Sequence, residues 1–208
     1  MLTYYEEFAA AYARGKLGLE GDDAQVLEQA RAAELSIHRF KRSGPLPRVR
    51  KVLGTLHGLA PERLLDLGTG RGVFLWPLLE AFPALEVTCV DILDYRVADL
   101  QALQRGGISR VTAHLSRLEQ MPFEDASFPV VTMLEVLEHT EDPQRALAEV
   151  SRVCSQALIL SVPSQPDDNP EHLHLFQADQ IKQWLKVLGF ARVKVAGVLN
   201  HLVILAQR

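Results

Sequence analysis

The residues best suited to chemistry fall in three groups, and the most informative is Leu64-Leu65-Asp66-Leu67-Gly68-Thr69-Gly70-Arg71-Gly72. An apolar strand that ends in alternating glycines and opens into a helix brings bare main chain close to a ligand, because a side chain at Gly68 or Gly70 would occupy the ligand's space. The third glycine comes one residue earlier than in a G-x-G-x-x-G loop, so no pyrophosphate is called for. Asp66 would repel a diphosphate but favour an ammonium or sulfonium group. The second group is Asp91, which closes the run Val87-Thr88-Cys89-Val90. A carboxylate at that strand edge can accept both hydroxyls of a ribose, as expected where an adenosine crosses the switch point of a doubly wound sheet. Asp91 could instead cap the next helix, a role better suited to Asp94, immediately before Tyr95.

The third group follows the fourth apolar run. Glu135, Glu138 and His139 stand at i, i+3 and i+4, so a helical turn would put them on one face. His172 and His174 alternate in Pro170-Glu171-His172-Leu173-His174-Leu175-Phe176, where an extended chain points both to the same side. Carboxylates and imidazoles there supply candidate general bases, Glu135 and His139 first among them. Together they also suit a divalent first-row ion. A plainer reading of His139 is a turn histidine satisfied by a backbone carbonyl.

The elements that must position these groups are short apolar runs alternating with amphipathic segments from Glu62 onward, the pattern of strand–helix units around a mostly parallel sheet. Strands are expected over 63–67, 86–92, 110–115, 130–135, 157–162, 191–196 and 202–206, and helices over 72–81, 95–104, 143–153 and 178–188. The connection 197–200 is too short for a helical crossover, so the last two strands must pair antiparallel. The fold class is α/β: a three-layer, doubly wound, seven-stranded and mostly parallel sheet with a terminal antiparallel hairpin, over residues 61–208. Residues 1–60 read as an N-terminal helical cap, with a helix over 24–40. Tyr4, Tyr5, Phe8 and Tyr12 form an aromatic stripe that serves either as a lid or as packing.

Composition bounds the rest. The chain has 208 residues, 48% hydrophobic and 23% charged, with a formal net charge of −4, enough for one domain with an appendage. No apolar stretch reaches the roughly 20 residues of a membrane span, and Met1 to Glu7 is polar and acidic where a signal peptide would be basic and then apolar. Cys89 and Cys154 sit among apolar neighbours, as reduced thiols would. A cytoplasmic location is the expectation. Between Leu35 and Pro61 no acid opposes Arg39, Lys41, Arg42, Arg48, Arg50 and Lys51, a basic segment around the Ser43-Gly44-Pro45 break. It is either a solvated helix face or a contact for an anionic partner such as nucleic acid.

In its order of motifs the chain resembles the class I S-adenosylmethionine-dependent methyltransferases, most closely their small "EVLEH" branch. Asp66, Gly68, Gly70 and Gly72 match the cofactor loop, and Asp91 matches the ribose-binding acid. Residues 121–128 (Met-Pro-Phe-Glu-Asp-Ala-Ser-Phe) match the segment before the fourth strand, and 135–143 (Glu-Val-Leu-Glu-His-Thr-Glu-Asp-Pro) the segment after it. The resemblance implies S-adenosyl-L-methionine bound across the carboxyl ends of the first, second and fourth strands. Its contacts would come from Asp66, Gly68, Thr69, Gly70, Gly72, Asp91, Ile92, Arg117, Leu118 and Glu135. Two positions depart from the pattern. Arg117 replaces the acid that accepts from the adenine amine and cannot accept a hydrogen bond, which leaves backbone groups of Leu118 to read the base edge. Pro129 replaces the aspartate after Ser127-Phe128 and is expected just ahead of the strand, because it cannot donate to a ladder.

The implied activity is methyl transfer to a small-molecule or metabolite acceptor. Glu135, Glu138 and His139 are also similar to the Glu-x-x-Glu-His element of small-RNA 3′-terminal ribose 2′-O-methyltransferases, which hold a divalent metal with a later histidine, here His172 or His174. A non-catalytic cofactor-binding module is a further alternative. A nicotinamide dehydrogenase is disfavoured by the early third glycine and the terminal hairpin.

Overall fold

The computed structural model describes residues 4–42 and 44–208; Ser43 of the basic segment's break and Met1 to Thr3 of the acidic N-terminus lie outside the described residues. Seven strands, β1 (Arg63–Leu67), β2 (Glu86–Asp91), β3 (Val111–Leu115), β4 (Phe128–Leu134), β5 (Cys154–Pro163), β6 (Arg192–Val198) and β7 (His201–Gln207), form one sheet in the order β3-β2-β1-β4-β5-β7-β6. The first five run parallel, and β7 is antiparallel to both β5 and β6. The strand order reverses between β1 and β4. Chains leaving the carboxyl ends of these two strands diverge there and open a crevice. Leu67 is in register with Val90 of β2 and Met133 of β4, so Asp66 to Gly68, Asp91 and Glu135 all emerge at one edge of the sheet.

Side chains along the strands alternate between two cores, as the two-residue period requires. Leu64, Val87, Cys89, Val130 and Ile159 pack with the N-terminal helices α1 (Glu6–Leu17), α2 (Asp23–Ala32) and α3 (Pro47–Leu59), and with α4 (Leu75–Ala81) and α5 (Asp94–Arg105). Leu65, Val90, Val131, Leu158 and Leu160 face α6 (Pro143–Val153) and α7 (Ala178–Val187). Helices therefore cover both faces of the sheet, as expected. Both cysteines are buried and free. Among the described residues no helix is long and apolar enough to cross a membrane.

Several local expectations are corrected. The helix over 24–40 ends at Ala32: Glu34 adopts a left-handed conformation, and only a 3-10 turn follows at His38–Phe40. The helix after the glycine loop begins at Leu75 rather than Gly72, because Gly72 is itself left-handed at φ 82°. Asp94 does not cap α5 but is its first residue, with Leu93 at the capping position. Pro129 lies inside β4, where the register with β5 shifts between Phe128 and Val130; the irregularity spares the missing N–H. The aromatic stripe is packing: Phe8 and Phe40 lie 6.1 and 4.7 Å from the Trp76 ring, and Tyr12 5.3 Å from Phe40.

Candidate active site

The glycine loop wraps the end of β1 in three left-handed turns, with φ 66° at Gly68, 61° at Gly70 and 82° at Gly72. The reason for two of these glycines differs from the expected one. A Cβ at Gly68 would lie 2.4 Å from a methyl of Val136, and one at Gly72 would lie 2.1 Å from the Trp76 ring. The loop is thus pressed onto its own protein, and that packing fixes where its main chain faces the crevice.

Asp91 holds the loop in place. Its Oδ2 accepts from the Gly70 N–H at 2.9 Å and its Oδ1 from the Leu93 N–H at 3.0 Å, with Arg96 Nη1 at 3.6 Å from Oδ2. Two lone-pair positions remain for a ligand's hydroxyls. Asp66 is 3% exposed and accepts from Thr132 Oγ1 at 2.8 Å. Burial raises its carboxyl to about 6, with the Thr132 and Thr69 hydrogen bonds opposing the rise.

Two neighbouring hollows that share lining residues follow the sheet edge. A cleft of ≈ 680 Å³ is lined by Asp91, Ile92, Arg117, Leu118, Glu119 and His139, and a smaller one of ≈ 280 Å³ by Asp66, Thr69, Gly70, Leu46 and Arg48. Gly68 and Glu135 line both. The larger has room for a nucleoside, and the smaller would take a short charged tail. Every expected cofactor residue lines one or both hollows except Gly72, which supports the loop from behind.

Three residues at the site escaped sequence reasoning. Glu119 lies two positions past Arg117 and 3.6 Å from its guanidinium; its side chain is 15% exposed against 62% for Arg117, so an acid does border this end of the cleft. His201 opens β7 opposite Pro163, and its Nε2 lies 3.0 Å from Glu135 Oε2. Arg48 of α3 reaches within 3.7 Å of Glu135 Oε1. Only the antiparallel return of β7 and the docking of α3 bring these last two to the edge, and no local spacing encodes either.

The third group divides. Glu135 is left-handed at φ 58° and precedes the 3-10 turn Leu137–His139, so no single helical face carries all three residues. Its carboxylate turns to Ser161 Oγ at 2.6 Å and to His201. His174 is engaged elsewhere, its Nε2 2.9 Å from the Thr140 carbonyl. Glu138, His139 and His172 do come together, their ligating atoms all within 4.8 Å of one another. Glu138 is fully buried, and burial pushes its carboxyl up to about 8.

Half of the basic segment is spent inside the molecule. Arg39 pairs with Asp99, Arg42 with Glu80 and Arg48 with Glu135, which lowers the field left for an external anion.

A glycine loop, a buried acid at the end of β2 and a cleft of ≈ 680 Å³ meet at the switch point of this α/β sheet. Residues 65–160 match the model of a family described as a methyltransferase domain. A probable S-adenosylmethionine-dependent methyltransferase of Mycobacterium tuberculosis is 30% identical over 147 residues, covering 66% of this chain and 52% of the relative. Malonyl-[acyl-carrier protein] O-methyltransferase of Geobacter sulfurreducens is 24% identical over 160 residues, covering 66% and 59%. The chain thus spans about half the length of the curated relatives it matches. Among solved structures, an S-adenosylmethionine-dependent methyltransferase from Aquifex aeolicus superposes with a TM-score of 0.65 over 90% of this chain and 99% of that one, at 20% identity. Magnesium protoporphyrin IX methyltransferase from Synechocystis, with bound S-adenosylhomocysteine, gives 0.63 over 95% and 93%, at 18%. Residues 65–160 are thus similar to a methyltransferase domain, and the relative from Mycobacterium tuberculosis and the structure from Aquifex aeolicus are both named as S-adenosylmethionine-dependent.

Proposed function

We propose that this chain transfers a methyl group from S-adenosylmethionine to a small-molecule acceptor. The observation that carries the reading is the Gly70 to Asp91 hydrogen bond, which sets main chain and ribose-binding carboxylate side by side at the mouth of the larger hollow. The adenosine lies along that hollow against Ile92 and the backbone of Leu118, with Glu119 accepting from the adenine amine in place of the acid that Arg117 lacks. The aminoacyl tail enters the smaller hollow, its ammonium near Asp66 and its carboxylate near Arg48.

The sulfonium already makes the methyl electrophilic, so alignment is the main contribution of the protein. An acceptor oxygen or nitrogen forms the new bond to carbon, the sulfur–methyl bond breaks with its electron pair going to sulfur, and the acceptor's proton must leave. Glu135 takes it, oriented by Ser161 and able to share it with His201 over 3.0 Å; His139 is the second base, farther along the cleft. Small acceptors are supported by relatives named for malonyl-[acyl-carrier protein] and for ubiquinone biosynthesis. The internal pairing of the basic segment weakens the case for a nucleic-acid acceptor.

The test is incubation of the pure protein with methyl-labelled S-adenosylmethionine and a cell extract resolved into small-molecule, protein and RNA fractions. Label in the small-molecule fraction supports the proposal. Label confined to RNA overturns the acceptor class, and tight cofactor binding without transfer to any fraction identifies a non-catalytic module.

A further inference from the structure

Four arginines line the two hollows, and three of them are already answered by a carboxylate. Arg48 lies 3.7 Å from Glu135, Arg96 3.6 Å from Asp91 and Arg117 3.6 Å from Glu119. Arg71 is the exception: it is exposed at the smaller hollow, and among the described residues no acid pairs with its guanidinium. Its main chain, by contrast, is fastened on both sides. Gly70 before it donates to Asp91 at 2.9 Å, the Arg71 carbonyl accepts from Trp76 Nε1 at 3.1 Å, and Gly72 after it donates to the Thr69 carbonyl at 3.1 Å. A long cationic side chain thus leaves a fixed turn at the mouth of the hollow, with its charge available to something from outside the chain.

The wall beside Arg71 is apolar. Five of the ten large apolar side chains exposed among the described residues line the two hollows: Leu46, Val73, Ile92, Tyr95 and Leu173. Exposed apolar residues scattered singly need no explanation, whereas their gathering at a concave site marks a surface that receives an apolar partner. Ile92 lies along the proposed adenosine. Leu46 and Val73, 38% and 56% exposed, have no such role, and they share the smaller hollow with Arg71 and Glu135. Leu46 stands at the head of α3 and Val73 follows the glycine loop, so the N-terminal helices supply one wall of the mouth and the loop supplies the other.

We propose that the methyl acceptor is an anionic amphiphile, an apolar molecule carrying a carboxylate or a phosphate, and that Arg71 is the residue that selects it. The inference rests on the methyl-transfer reading and deepens it. The anion meets the Arg71 guanidinium, whose planar fork matches either oxyanion, and the apolar body lies against Leu46 and Val73. The reacting hydroxyl or amine is a separate group placed at Glu135, which lines both hollows. It gives its proton to Glu135 as its bond to the methyl carbon forms, the sulfur–methyl bond leaves its electron pair on sulfur, and the anion is unchanged. A free molecule suits this mouth better than a membrane surface. The larger hollow beside it carries Glu141 and Glu171, both exposed, which would repel an anionic bilayer.

The test is calorimetry on the full chain saturated with S-adenosylhomocysteine and titrated with octanoate, octyl phosphate, octanol and octylammonium, which share one chain and differ in headgroup. At least one anion should bind ~5-fold tighter than octanol, with octylammonium the weakest, and the tighter of the two anions names the headgroup. Arg71→Gln should weaken that anion about 5–10-fold, the scale of a hydrogen-bonded ion pair discounted for exposure, and leave octanol unchanged. Val73→Ser should weaken both the anion and octanol. Arg50→Gln, which removes an exposed charge outside both hollows, should bind the anion like the wild type. Melting temperatures show that each variant is folded. Anions bound no tighter than octylammonium, or unchanged anion affinity in folded Arg71→Gln, overturns the proposal. So does an equal loss of S-adenosylmethionine affinity in Arg71→Gln, which would give this arginine to the cofactor's own carboxylate. Sedimentation with vesicles of phosphatidylcholine and phosphatidylglycerol that depends on Arg71 would make the ligand a bilayer and overturn it as well. Wild type that binds S-adenosylmethionine but shows no anion preference removes the acceptor class alone. Anions held through Arg71 by a chain that takes up neither S-adenosylmethionine nor S-adenosylhomocysteine remove the methyl-transfer reading, and with it the acceptor role of the anion site.

Discussion

The main-chain N–H of Gly70 donates to Asp91 Oδ2 at 2.9 Å, so the acid that would grip a ribose also fastens the loop that would carry the rest of the ligand. Removing the carboxylate loses two things at once: its own charge-assisted bonds to the cofactor and the prior ordering of the loop. Asp91→Ala is expected to weaken S-adenosylmethionine binding by about 1.5–3 kcal/mol, the scale of hydrogen bonds to a charged group. Calorimetry checks it. A folded variant with wild-type affinity would place the ribose elsewhere.

Gly72 tests the other support of the loop. An alanine there must hold φ 82° and drive its Cβ to 2.1 Å from the Trp76 ring. The left-handed conformation alone costs about 1–2 kcal/mol, and overpacking adds about 1–3. Trp76 cannot swing away freely, since its Nε1–H donates to the Arg39 and Arg71 carbonyls. Gly72→Ala should therefore lower the melting temperature and shift the tryptophan emission even without cofactor. A wild-type melting temperature and spectrum would mean that the ring yields.

How much of this was legible beforehand follows from range. The strands, the hairpin and the glycine loop are written in local periodicity, and β1 lies over the expected residues 63–67. The boundaries that failed were decided by single dihedrals, Glu34 and Gly72 among them, where one left-handed residue outweighs a favourable helical spacing. At the candidate site, Asp91 could be singled out because its place at the end of a strand is local, and it lines the larger hollow. His201 was missed because it reaches Glu135 only through the antiparallel return of β7, 66 positions along the chain. The shared face expected for Glu135, Glu138 and His139 failed because the left-handed Glu135 stands outside the turn.

Asp66 gives a pH signature with a definite sign. Its carboxyl moves from 3.8 to about 6 on burial, so between these values the folded chain holds a proton that the unfolded chain has released. The stability this contributes is complete below pH 3.8 and is lost as the pH rises through about 6, an effect of roughly 3 kcal/mol. Other carboxylates titrate in the same range, so the readout is the difference between wild type and Asp66→Asn in urea unfolding at pH 4.5 and pH 7. Cofactor binding runs the other way, because an ammonium prefers the ionised carboxylate. Affinity for S-adenosylmethionine should rise from pH 5 to pH 7 in the wild type and stay flat in Asp66→Asn. Parallel profiles for the two proteins would show that Asp66 does not face the ammonium.

The docking of the N-terminal helices decides whether Arg48 reaches the site at all, and it rests on an unusually close crossing of α1 and α5. A Cβ at Gly15 would lie 1.8 Å from the Ala102 carbonyl oxygen, and one at Gly106 would lie 1.7 Å from that of Ala11. Beside this crossing Asp99, 7% exposed, receives Lys16 at 2.8 Å, Arg39 at 2.5 Å and the Tyr12 hydroxyl at 3.3 Å. Two opposing effects meet in Gly15→Ala. Alanine favours the helix by about 1 kcal/mol over glycine. The obstacle is rigid backbone, however, so α1 must shift away and loosen the Asp99 cluster, at about 1–3 kcal/mol for the overpacking alone. The clash wins. The variant should melt lower than wild type and be cut faster by protease between Gly18 and Leu46, while Gly54→Ala, whose added methyl meets open space, keeps the wild-type cleavage rate and melts no lower. If displacement of the cap also withdraws Arg48 from Glu135, Gly15→Ala weakens S-adenosylmethionine binding although the substitution lies on a different helix from Arg48. Unchanged cofactor affinity alongside faster cleavage would assign the cap to stability alone.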